Sequence, residues 1–164
     1  MYKWLSLALL VLIIDQASKA YIVSTLAYLE RVPVTAFFQW VHWTNPGAAF
    51  SFLADAGGWQ KWLFVSLAAG FSVYLVWEIA RLPREEKVLG WVFGLILGGA
   101  LGNLTDRLYR GEVVDFIYFH YQQWGFPAFN VADSSLFCGA VLWIFLMIKE
   151  YRQERSRERA QEQP

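Results

Sequence analysis

The chain has 164 residues, 57% of them hydrophobic and 18% aromatic, with 14 basic and 14 acidic side chains and so no net charge. This balance leaves no general basic footprint for nucleic acid, and the apolar fraction is too high for a soluble domain of this length and points to a bilayer. One cysteine, Cys138, excludes an internal disulfide and reads as a small buried side chain in an apolar run.

In chain order, the first apolar stretch covers about residues 4–23 and carries Asp15 and Lys19. These two charges interrupt the region where a leader peptide would be cut, so the stretch reads as a retained span. Spaced i, i+4, they share one helical face. Their simplest role is an ion pair that lowers the cost of burying either charge, with lipid-headgroup contact as the functional alternative. Residues 24–61 follow outside the membrane. Within them, 32–35 and 37–44 are β-branched and aromatic with turn formers beyond, the pattern of short strands. Asn45 opens Asn45-Pro46-Gly47-Ala48-Ala49-Phe50, and Asp55, beside Gly57-Gly58, reads as solvated.

A second span is expected over about 62–79 and a third over about 88–104. Gly98, Gly99, Gly102, Asn103, Asp106 and Arg107 gather at the end of the third. Gly98 and Gly102 form a small-xxx-small pattern that lets helices approach closely. Asp106 with Arg107 reads as a clamp at a helix end, and Asn45 and Asn103 as interhelical hydrogen-bond glue. Residues 109–132 return outside, with a strand over 113–121, and a fourth span covers about 134–148. The tail, about 151–164, alternates in charge and reads as a solvated helix extension. A small sheet against the outer membrane surface is therefore expected. Lys3, the Arg81–Arg84–Lys87 loop, Lys149 and the tail arginines place both termini in the cytoplasm.

Asp115 and Asp133 carry the strongest chemical signal. An acidic side chain at bilayer depth costs about 2.5–3.5 kcal/mol by insertion scales. Each of these two lies at the edge of an apolar span, in Val113-Val114-Asp115-Phe116 and in Phe129-Asn130-Val131-Ala132-Asp133. Two carboxylates brought together share a proton, the basis of aspartic-protease chemistry; the plainer reading is a structural salt bridge. Asn130, three residues before Asp133, reads as its orienting partner. No metal-ligand spacing surrounds His42 or His120, so no metal or other cofactor is expected. Ser18 and Lys19 are sequence neighbours that do not face each other on a helix, which weakens a serine–lysine peptidase. The 98–102 glycine run lacks the Gly-Lys-Ser/Thr ending of a P-loop. The competing functional class is a small proton-coupled transporter using intramembrane aspartates.

Five motifs occur together: Asp15-Gln16-Ala17-Ser18-Lys19, Asn45-Pro46-Gly47-Ala48-Ala49-Phe50-Ser51, the run from Gly98 to Arg107, Val113-Val114-Asp115-Phe116, and Phe129-Asn130-Val131-Ala132-Asp133-Ser134. In this order they resemble the lipoprotein signal peptidase (signal peptidase II) family over nearly the whole chain. The resemblance implies a membrane protein, mainly α, with four transmembrane helices and a small periplasmic β-sheet cradle. It also implies an element over the site near residues 50–58. The implied activity is that of a bacterial inner-membrane aspartic endopeptidase. It would remove the signal peptide from diacylglyceryl-modified prolipoproteins, cutting on the amino side of the lipidated cysteine. Asp115 and Asp133 match the catalytic pair. Asp15, Lys19, Asn45, Gly99, Asn103, Asp106, Arg107 and Asn130 match supporting or substrate-binding positions. Implied partners are the lipid-modified prolipoprotein, membrane lipids and the cyclic peptide antibiotic globomycin. Because one chain carries both aspartates, a monomer is expected.

Overall fold

In lipid, a segment must satisfy its own backbone N–H and C=O groups, so each apolar stretch becomes a helix. The computed structural model describes residues 1–47, 57–83 and 85–161. It contains four helices, α1 (Tyr2–Thr25), α2 (Trp59–Arg81), α3 (Lys87–Tyr109) and α4 (Val131–Gln161). All four are long and apolar enough to cross a membrane. Each overruns its apolar stretch. Asp106 and Arg107 thus lie inside α3, and Asp133 lies in the first turn of α4. The tail continues α4 as an exposed helix, as its composition predicts.

α3 is the central helix. It packs against α1, α2 and α4, and 67% of its most apolar window is buried, against 17–28% in the other helices. Glycine makes this possible. A Cβ at Gly98 would lie 2.8 Å from the Ala8 carbonyl oxygen of α1, and one at Gly99 would lie 2.5 Å from the Ala132 carbonyl oxygen of α4. The small-residue pattern therefore works on two faces of one helix. Outward, α1 and α4 present Leu9, Leu10, Ile13, Phe137, Val141 and Ile144, as lipid-facing surfaces should. Cys138 belongs to this outer face and is exposed, contrary to the buried position expected for it. The α3-facing stripe of α4 runs through Ala132, Ser135 and Gly139, which turns position 138 away.

The strands form one antiparallel sheet in the order β1 (Arg31–Pro33), β2 (Phe38–Asn45), β3 (Val113–Tyr121), β4 (Trp124–Gly125). β3 has the bounds expected from its sequence, and β2 starts and ends one residue later than expected. The short β4 carries no sequence signal of its own; it forms because Gln122, at φ 52°, closes a two-residue turn. The sheet lies at the end of the bundle where α1 and α3 finish and α2 and α4 begin. The element expected near 50–58 lies outside the described residues up to position 56, as do Asp55 and Ser51.

Candidate active site

Alternation along a strand normally buries every second residue. In β3 the first four positions, Val113 to Phe116, are all buried. The reason is cover on both faces, because the start of β3 touches α1 and α3 as well as β2. Asp115 is thereby held 5% exposed. The chain then turns through β4 and comes back along the free edge of β3. The Ile117 N–H donates to the Phe129 carbonyl at 2.8 Å, and the Phe129 N–H donates to the Ile117 carbonyl at 3.1 Å. This one bridge delivers the next residue, Asn130, to the side of Asp115.

Asn130 is fully buried and caps α4. Its Oδ1 accepts the Asp133 N–H at 2.9 Å, and its own N–H donates to Asp133 Oδ2 at 3.3 Å. This is the reciprocal geometry of a capping box. The remaining amide group, Nδ2, donates to Asp115 Oδ1 at 2.7 Å and to the Val114 carbonyl at 3.2 Å. Asn130 therefore holds both carboxylates at once. Asn103 of α3 donates from Nδ2 to Asp133 Oδ1 at 2.8 Å. Asn45 accepts the Gly47 N–H at 2.9 Å through Oδ1, and its side chain also hydrogen-bonds Asp115. Around these two carboxylates, the hydrogen bonds come from neutral amides. Burial first, and the negative charge of Asp133 second, push Asp115 up to about 8.

A second cluster lies beside the first and is built on the opposite principle. Lys19, 0% exposed, reaches Asp15 Oδ2 at 2.8 Å, Asp106 Oδ2 at 2.9 Å and Asn103 Oδ1 at 3.0 Å. The expected i, i+4 pair is present, and its burial leaves it no headgroup contact. Asp15 also accepts the Ala132 N–H at 2.8 Å, and Asp106 the Val114 N–H at 3.1 Å. The cluster thus ties α1, α3, β3 and the start of α4 together. The expected Asp106–Arg107 clamp is not the one formed. Asp106 pairs instead with Lys19 and with Arg110, one helical turn on. Neighbouring residues on a helix point about 100° apart, whereas residues four apart share a face. Arg107 turns the other way, donating to the Gly47 carbonyl at 2.7 Å and lying 5.2 Å from the centre of the Phe64 ring.

Sequence reasoning passed over Arg110 and Gln16 as members of this cluster. Gln16 donates to Asp106 Oδ1 and to the Gly102 carbonyl, each at 3.1 Å. The i, i+4 spacing of Asp106 and Arg110 was the available signal; Gln16 offered none beyond its place in the first motif. Gly99, by contrast, needs no side-chain chemistry. Its missing Cβ lets the first turn of α4, and so Asp133, sit against α3.

The family model for signal peptidase (SPase) II matches residues 7–149. The chain is 48% identical over 143 residues to the lipoprotein signal peptidase of Yersinia enterocolitica, covering 87% of this chain and 85% of that one. It is 51% identical over 149 residues to that of Pseudomonas fluorescens, covering 90% and 88%. A solved structure described as a bacterial membrane enzyme, determined in meso at 2.3 Å, superposes with a TM-score of 0.83 at 31% identity, covering 92% of this chain and 90% of that one. Nothing in these similarities supports the transporter alternative. Sequence and fold agree, and the chain belongs to the signal peptidase II family of bacterial multi-pass membrane peptidases.

Proposed function

We propose that this protein removes the signal peptide from diacylglyceryl-modified prolipoproteins, with Asp115 and Asp133 as its catalytic pair and a cut on the amino side of the lipidated cysteine. The observation that carries this reading is the double grip of Asn130, which brings both carboxylates to one residue amid neutral donors. Two such groups sharing one proton supply a base for water and an acid for the carbonyl together. The signal peptide, itself an apolar helix, enters laterally from lipid, and the acyl chains stay in the bilayer. Asn103, Asn130 and Asn45 orient the carboxylates. Lys19, Asp15 and Asp106 fix the elements that carry them, and Arg107 anchors the segment after β2 near the site.

The excess of Lys and Arg at the end opposite the sheet supports cytoplasmic termini and a site near the periplasmic face of the inner membrane. One chain holds the whole pair, so the working unit is a monomer. The same cleft is where a globomycin-type cyclic peptide would bind. The test uses purified protein in detergent with a diacylglyceryl-modified lipobox peptide. The expected product is a fragment beginning with the lipidated cysteine. Folded protein that leaves this peptide intact would overturn the proposal.

A further inference from the structure

Two buried side-chain amides in the site have only one possible orientation each. Lys19 Nζ and the Asp133 N–H can donate but not accept. The atom of Asn103 facing Lys19 at 3.0 Å is therefore its oxygen, as is the atom of Asn130 facing the Asp133 N–H at 2.9 Å. Their NH2 groups must then point at Asp133 and Asp115 respectively. Lys19 has three N–H bonds and three acceptors, Asp15, Asp106 and Asn103, so it has no proton free for substrate. Its two carboxylate partners offset its charge. Its third bond holds Asn103, which in turn donates to Asp133.

The surroundings of the two carboxylates then differ. Asp133 accepts the Asn103 amide on Oδ1 and the Asn130 backbone N–H on Oδ2. It also lies in the first turn of a 31-residue helix, where the aligned peptide dipoles favour an anion. Asp115 also receives two amide side chains, Asn130 and Asn45, but it stands on a strand with no helix terminus and is buried next to the negative charge of Asp133.

We infer that Asp133 enters the reaction ionised, as the base, and Asp115 protonated, as the acid, an order imposed by Lys19 acting through Asn103 as a positioning residue. This rests on the catalytic-pair reading above. Asp133 takes a proton from water as the water oxygen bonds to the scissile carbonyl carbon. Asp115 gives its proton to the carbonyl oxygen, forming a gem-diol. The proton on Asp133 then passes to the nitrogen as the C–N bond breaks. One gem-diol hydroxyl returns a proton to Asp115, and the starting state is restored.

The test compares the amide substrate with the same lipidated peptide carrying an ester at the scissile bond. An ester carbonyl is more electrophilic and leaves more readily, so it asks less of the acid but still needs the base. Asp133→Asn is expected to lose about 10²–10⁴-fold on both substrates, whereas Asp115→Asn loses that much on the amide and at least about tenfold less on the ester. The reverse pattern, with ester cleavage surviving in Asp133→Asn, overturns the assignment while leaving the pair intact. Near-normal amide cleavage by either variant instead overturns the pair itself. Lys19→Met, counted per site by titration with a tight cyclic peptide inhibitor, is expected to lower kcat on both substrates at unchanged KM. Should that variant fail to fold, Asn103→Ser, which leaves the Lys19–Asp15–Asp106 cluster intact, is expected to show the same loss. Wild-type kcat per titrated site in whichever of the two folds would remove Lys19 from the assignment.

Discussion

Two groups of acidic residues lie side by side at the sheet end of the bundle, and they are treated in opposite ways. Asp15 and Asp106 are fully buried, and each touches Lys19; Asp106 adds Arg110. Asp115 and Asp133 receive hydrogen bonds from neutral amides, and Asp115 feels the negative charge of Asp133. Cations make the first group a clamp, and removing Lys19 from it would leave buried charge uncompensated. Among the described residues no cation hydrogen-bonds the second group, and such an environment suits two carboxylates that share one proton, as general acid–base chemistry needs. The same residue type thus gives structure or reactivity according to what its oxygens touch.

That contrast can be broken from either side. The largest effect is expected in the second group. Asp115→Asn or Asp133→Asn should lower cleavage of the lipidated peptide by about a thousandfold or more while the protein still inserts and folds. In the first group the loss should fall on stability. Asp106→Ala should destabilise the protein by about 1–3 kcal/mol, read as a lower thermal midpoint in detergent, because it takes one of two carboxylates from Lys19 and leaves the buried Val114 N–H without its acceptor. Gly102→Val sharpens the comparison. A Cβ there would meet Asp15 Oδ2 at 2.6 Å, so the clamp must shift, at about 1–3 kcal/mol of stability.

The pH dependence separates the groups further. Asp115 keeps its proton up to about pH 8, so kcat/KM should fall as pH rises through that value and the acid is lost. The sign for stability is the same. Between 3.8 and about 8 the folded chain holds a proton that the unfolded chain releases, so folding weakens as pH rises across that window. The smallest effect is expected from chelators. EDTA should leave the rate unchanged, and inhibition reversed by a divalent ion would contradict a purely carboxylate mechanism.

The helices and β3 were legible because lipid demands long apolar segments and because β-branched and aromatic residues crowd 113–121. Asp115 and Asp133 were legible because charge beside an apolar span is costly. What the sequence hid were contacts made at a distance in the chain. The bridge between Ile117 and Phe129 that presents Asn130 has no local signature. The partner of Asp106 was misread because adjacency in sequence was taken for adjacency in space, and Arg110 lay one turn further on. Cys138 was misplaced because an apolar run does not say which side of a helix faces lipid.

The most direct test measures turnover and thermal midpoint together for four single substitutions, Asp115→Asn, Asp133→Asn, Asp15→Asn and Asp106→Asn. The expected result is that the first two keep the wild-type midpoint and lose cleavage, while the last two lose midpoint. Near-normal cleavage of the diacylglyceryl-modified peptide by folded Asp115→Asn or Asp133→Asn would contradict the account.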